Sequence, residues 1–294
     1  MRKFWYALLI GIAHLWVGLP YRWQMCAGRG LGRLSFYLLK RRRQVAARNL
    51  AACFPDFSAV EHKALLKKTF LSAGMAMMEA LIAWFMPERC FRRIHFKEKG
   101  IEYLATACEQ AQGAILCSGH MMCLEIVGRA LGQQYPFSVV YKPARQAGLQ
   151  RVFEEYRARH YQKILAHRDI KQVVRLLRAG EPIWYAPDQD FGRKPTVFAD
   201  FLGVETATLT ATATLARLGK ASVVPIFFHR LPKDKGYEIE VLPPLTNFPS
   251  GDDQADAERY NKILADYVKR YPDQYHWLHR RFKTRPLGEA PFYI

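Results

Sequence analysis

No acidic residue stands before Asp56 in this chain of 294 residues. The six cysteines (Cys26, Cys53, Cys90, Cys108, Cys117, Cys123) contain no C-x-x-C pair and build no zinc site by spacing. They suit a reducing compartment, where scattered thiols sit in apolar surroundings. There is no G-x-S-x-G elbow, no P-loop and no G-x-G-x-x-G fingerprint, so an activated serine and a nucleotide cradle both lack their usual signatures. The run Gly28-Arg29-Gly30-Leu31-Gly32 follows no strand and is not a nucleotide loop. Internal repeats and low-complexity linkers are also missing.

What is present begins with charge. The first 55 residues carry ten Lys and Arg, while the whole chain has a net charge of +18. Half the residues are apolar and 13% are aromatic, which excludes a disordered chain. A basic block beside an apolar run points to an anionic membrane surface rather than nucleic acid. That run is Phe4 to Leu19, FWYALLIGIAHLWVGL, with aromatic residues at both ends. No small-x-small cleavage site follows it, so residues 1–22 are expected to be an uncleaved membrane anchor, with an interfacial helix as the second reading. Lys40-Arg41-Arg42-Arg43 lies on its C-terminal side, which places the body on the cytoplasmic face.

Residues 23–94 read as a basic helical docking segment. Arg42–Ala52 and Ala59–Met86 have helical patterns, broken by Pro55, with Ser58 as N-cap. Phe70 to Met86 is nearly all apolar, but Glu79 inside it favours a core or groove-lining helix over a second span. From residue 95 to the C-terminus, strands alternate with helices. The strands are Ala114–Ser118, Ser138–Tyr141, Ile183–Ala186, Ser222–Phe228 and Tyr237–Leu242. The helices are Met121–Leu131, Gln150–His160, Ile170–Arg178, Thr208–Leu218 and Asp256–Arg270. This order predicts an α/β fold, a mainly parallel sheet flanked by helices, as one catalytic domain.

Three stretches can carry chemistry. In Gly113–Glu125, GAILCSGHMMCLE, a buried strand runs into a helix, the kind of turn where open α/β sheets bind ligands. His120 precedes the helix, and Glu125 is placed to reach one ring nitrogen and leave the other as a general base. A helix-capping histidine beside an exposed glutamate accounts for the same spacing. In Trp184–Lys194, WYAPDQDFGRK, a strand is followed by Asp188, Asp190, Arg193 and Lys194. Paired acids there can orient a hydroxyl and the cations can meet phosphate, or the loop is an Asp-rich turn. The third is a basic segment from Tyr141 and Lys142 through Arg145, Arg151, Arg157 and Arg159 to His167 and Arg168; such runs are usually solvated faces, but Arg157 and Arg159 are two apart and do not share one helical stripe, so an anionic ligand could engage them.

Taken together, GHMMCLE, WYAPDQDFG, SVVPIF, KRRRQVAARNLAACFP and the tail QYHWLHRRFKTRP resemble the late acyltransferases of lipid A biosynthesis, essentially end to end. The likeness is greatest to the branch that adds a lauroyl chain to Kdo2-lipid IVA. The family's H-x4-D/E motif falls on His120 and Glu125, and its arginine pair on Arg157 and Arg159. Met121-Met122-Cys123 departs from the usual spacer, which bears on the lining of the acyl groove. The resemblance implies a glycerolipid-acyltransferase-like sheet at the inner membrane. It also implies transfer of an acyl chain from acyl carrier protein to the 3-hydroxyl of an acyl chain on the acceptor. His120 and Glu125 would be catalytic. Tyr141, Lys142, Arg157, Arg159, Asp188, Asp190, Arg193 and Lys194 would bind substrate. No metal or other cofactor is implied, and the partners would be acyl carrier protein, Kdo2-lipid IVA and anionic lipids, not nucleic acid. Another membrane glycerolipid or glycolipid O-acyltransferase is the alternative.

Overall fold

The computed structural model describes residues 2–110, 112–144, 146–193 and 195–293. Helices come first: α1 (Arg2–Val17), α2 (Tyr21–Leu38), α3 (Lys40–Cys53), α4 (Ala59–Phe85) and the short α5 (Glu88–Phe91). Next come β1 (Phe96–Lys99), α6 (Ile101–Glu109), β2 (Ala114–Cys117), α7 (Leu124–Gly132), β3 (Ser138–Tyr141) and α8 (Ala147–Glu155). They are followed by β4 (Ile164–Ala166), α9 (Ile170–Arg178), β5 (Ile183–Tyr185) and a hairpin of β6 (Thr196–Phe201) and β7 (Val204–Leu209). Then α10 (Ala211–Gly219), β8 (Ser222–Arg230), β9 (Tyr237–Val241) and α11 (Asp253–Arg270) lead to the C-terminal tail.

Seven strands form one sheet in the order β1-β9-β8-β2-β5-β3-β4. Every neighbouring pair is parallel except β8 and β9. The expected α/β class with a mainly parallel sheet is therefore observed. The central strands are continuous apolar runs because both faces are covered; all of β2 is buried, and so is β8 after Ser222. The hairpin β6–β7 was not legible in the sequence. Its turn uses Leu202 and Gly203, both at positive φ, where Asn-Gly is the usual signal. Its two strands also displace the start of the expected Thr208 helix to Ala211.

The spanning anchor expected at residues 1–22 is not borne out. Among the described residues no helix is long and apolar enough to cross a membrane. Helix α1 has 16 residues, which at about 1.5 Å each falls short of a bilayer core of about 30 Å. Ala13 and Val17 are buried against the protein, and His14 meets the rings of Phe85 and Tyr156 edge-on. Leu8, Ile12, Leu15 and Leu19 face outward, Leu15 with 79% of its surface exposed.

Helix α4 begins as expected at Ser58, in a capping box with Glu61. Its Glu79 has no exposed surface and pairs with Arg230 of β8, with Oε1 accepting also from Tyr237 Oη at 2.8 Å. The carboxylate thus belongs to the core. Gly74 of α4 faces Gly28 and Gly32 of α2, so the two backbones touch where side chains would hold them apart. A Cβ at Gly74 would overlap backbone atoms of both glycines. Gly74→Val should therefore destabilise the fold by about 1–3 kcal/mol or prevent it forming. Urea unfolding of the variant checks this, and wild-type stability would show that the crossing can relax.

Candidate active site

Strands β2 and β5 are parallel neighbours, with Cys117 opposite Tyr185. Each chain continues three residues beyond this pair, one to His120 and the other to Asp188. The two side chains leave the carboxyl ends of adjacent strands side by side, and His120 Nδ1 lies 2.5 Å from Asp188 Oδ1. The backbone N–H of His120 donates to Asp188 Oδ2 at 3.0 Å, and Tyr275 Oη donates to the same oxygen at 2.8 Å. Only 1% of the Asp188 side chain is exposed, against 34% for His120.

Burial alone would raise the Asp188 carboxyl's pKa. The adjacent His120, which supplies charge and hydrogen bonds, together with Arg281, instead holds it well below the usual carboxylate range. An ionised Asp188 is an acceptor, so it fixes the proton of His120 on Nδ1 and leaves Nε2 as an acceptor. His276 and His279 flank the site. Burial, reinforced at His276 by His120, pushes both down to about 4, so both are neutral at physiological pH.

The partner expected for His120 was Glu125, and the structure corrects this. Helix α7 starts at Leu124, after residues 121 and 122 have paired with the tail. Glu125 therefore sits on a helix aimed elsewhere. Its Oε2 accepts from Trp84 Nε1 of α4 at 2.9 Å, and its Oε1 pairs with Arg157 at 3.0 Å. The arginine pair is also divided. The helix expected over Gln150–His160 ends at Glu155, and a 3-10 turn, Arg157–His160, turns Arg157 inward with 12% of its side chain exposed. Arg159 is outside, its guanidinium 4.6 Å from the centre of the Tyr156 ring.

His120, Glu125 and Arg157 share a cavity of about 520 Å³ at the carboxyl ends of β2, β3 and β5. Its walls are mostly apolar: Leu124, Val139, Val173, Trp184, Leu209 and Leu215 line it, with Tyr141, Lys142 and His167 also on the wall. A long apolar ligand and one polar reacting group suit such a site.

A sequence model of the bacterial lipid A biosynthesis acyltransferases matches residues 1–284. The chain belongs to this family. It is 37% identical over 291 residues to the lipid A biosynthesis palmitoleoyltransferase of Escherichia coli K12, covering 99% of this chain and 94% of that protein. It is 38% identical over 288 residues to the lauroyltransferase of the same organism, covering 97% and 94%. A lipid A biosynthesis acyltransferase of Haemophilus influenzae is 34% identical over 296 residues, covering 98% and 94%. Among solved structures, a 1-acyl-sn-glycerophosphate acyltransferase from Thermotoga maritima superposes with a TM-score of 0.38 at 13% identity, over 79% of this chain and 95% of that one. That likeness is too slight to bear on the glycerolipid comparison.

In this lipid A acyltransferase, the other expected substrate-binding residues separate by position. Tyr141 and Lys142 line the cavity, and Tyr141 Oη accepts from Gln150 Nε2 at 2.8 Å. Asp190 is buried and does not line the cavity; it accepts from Gly192 N, Thr284 N and Thr284 Oγ1, which ties the loop to the tail. Arg193 is exposed on that loop, and Lys194 and Arg145 lie outside the described residues. Asp188 is hydrogen-bonded to His120 and is not among the residues that line the cavity. The equal three-residue offsets from Cys117 and Tyr185 were the signal for it, but they mean something only once β2 and β5 are known to be neighbours.

The depressed Asp188 carboxyl makes a pH-dependent contribution to stability. Unfolded aspartate titrates near about 3.9, so this contribution is present above about pH 4 and is lost as pH falls through the lower folded value. Asp188→Asn should cost about 1–3 kcal/mol at neutral pH, with the gap to wild type narrowing below about pH 4. Urea unfolding of both proteins across pH tests this; a gap that stays constant contradicts it.

Proposed function

We propose that this lipid A acyltransferase moves a lauroyl or similar chain from acyl carrier protein to the 3-hydroxyl of an acyl chain on Kdo2-lipid IVA. His120 is the general base and Asp188 its partner. The observation that carries the reading is the His120–Asp188 pair at a mostly apolar cavity of about 520 Å³. Neutral Nε2 takes the hydroxyl proton as the oxygen attacks the thioester carbonyl, and Asp188 stabilises the imidazolium that forms. Collapse of the tetrahedral intermediate releases the carrier thiolate, which receives the proton back from His120.

Arg157 meets the oxyanion or an acceptor anion from the cavity wall, and Glu125 holds Arg157 in place. Glu125 thus serves the reaction by a different route from the one its spacing suggested. Lys142 at the cavity and Arg193 on the adjacent loop would face the acidic carrier protein. Attachment to the cytoplasmic side of the inner membrane would rest on α1 and α2. These expose Leu15, Trp23, Leu34 and Leu38 beside Arg22, Arg33 and the Lys40–Arg43 block.

His120→Ala should lower transfer by about 10²–10⁴ in a folded protein. Retention of more than a tenth of wild-type activity would overturn the assignment. Arg157→Ala should lose tenfold or more, while Arg159→Ala stays near wild type, because only Arg157 lines the cavity. Equal losses from both would place Arg159 in the site too. Lauroyl and palmitoleoyl carrier-protein donors in competition, followed by mass spectrometry of the product, test the chain. Kdo2-lipid IVA offered against lysophosphatidate tests the acceptor; preference for the latter would establish the glycerolipid reading instead.

A further inference from the structure

The tail QYHWLHRRFK stands out in the sequence, yet none of its side chains is used in the mechanism above. In the structure it pairs with the turn that carries the base. Tyr275 bridges Met121 in antiparallel fashion, Met122 N donates to Gln274 O at 2.7 Å, and His276 N donates to His120 O at 3.1 Å. This short ladder fixes both the backbone of His120 and the direction of the Tyr275 side chain. The ring is buried, packed edge-on against Trp277 at 4.9 Å and tilted against Phe201 at 5.8 Å. Its hydroxyl reaches Asp188 Oδ2, the oxygen not bonded to the imidazole.

We propose that Tyr275 is a positioning residue that tunes the basicity of His120 through Asp188. The proposal rests on the reading of His120 as the general base. A donor on Oδ2 draws charge from the carboxylate and weakens its hold on the imidazolium, so His120 releases its proton at a lower pH than it would beside Asp188 alone. Among the described residues, the groups near the pair include His276, His279 and Arg281 of the tail, Tyr260 of α11 and Cys117 of β2, and Glu125 and Arg157 share the cavity with His120. Among them, the hydroxyl of Tyr260 donates to Ser118 O at 3.0 Å instead.

The experiment is the pH profile of kcat for the full chain and for Tyr275→Phe, with a parallel ¹⁵N-imidazole titration of His120, identified as the resonance missing from His120→Ala. The acid limb and the His120 titration should both move up by about half a unit to one unit, a roughly three- to tenfold loss of kcat on that limb that recovers at higher pH. In an Asp188→Asn background the same substitution should move neither. A merely structural role would lower kcat evenly across pH, and an unmoved limb with an unmoved titration overturns the proposal. Should Tyr275→Phe fail to fold, 3-fluorotyrosine at the same position decides the question. Its hydroxyl is a stronger donor, so the limb must move down, and no movement refutes the proposal. If the titration moves while kcat does not follow it, Tyr275 tunes His120 but His120 is not the base, and the functional reading fails separately.

Discussion

The parallel pairing of β2 with β5 is the constraint on which the site depends. With Cys117 set opposite Tyr185, the two following loops must leave the sheet together, and a slip of the register would carry Asp188 away from His120. The strands are apolar on both faces, so the carboxylate at their end is dry and its hydrogen bonds are strong. Helix α11 seals the same loop from behind: Tyr260 donates to Ser118 O, and Leu264 lies where a Cβ of Gly119 would go.

Around this centre, α4 does two jobs. Glu79 pairs with Arg230, whose guanidinium also bonds to Ser72, while Tyr237 and Tyr21 extend the network toward α2. A buried ion pair of this kind gives modest net stability, but it costs heavily when broken, and it fixes where the helical layer sits on the sheet. One and a half turns later the same helix presents Trp84 to Glu125, and Glu125 holds Arg157. The position of an arginine in the cavity is thus set by a helix from the N-terminal layer. Arg29 of α2 adds a second tie, to Asp234 at 2.7 Å.

The tail closes the arrangement from the other side. Asn49 of α3 donates to the carbonyls of Trp277 and His279 at 2.8 and 2.9 Å and accepts from Tyr293 Oη. Thr284 caps Asp190 and Tyr275 caps Asp188, so both acids of one loop are satisfied by one segment. This explains why two aspartates so close in sequence differ in role. Asp188 faces the histidine at the cavity, and Asp190 anchors the chain that holds Asp188 in place.

The sequence by itself determined the class of sheet, the long capped helix, the basic apolar N-terminus and the place of His120 at the end of a buried strand. Each of these is a local property: strand runs such as AILC and SVVPIF, the Ser58–Glu61 box, and a histidine just past a buried strand. It named Glu125 as the partner because five residues is a short distance along the chain. The true partner is 68 residues away, and only strand order brings it near. The helix that Arg157 and Arg159 were expected to share breaks before them into a 3-10 turn, and Arg157 lines the cavity while Arg159 lies outside it. An apolar run with aromatic ends and no cleavage site suggests a spanning anchor, yet the helix has 16 residues and packs on α2 and α4. Periodicity reports which face of an element is buried; which element lies beside it is decided by the register and close packing of the whole chain.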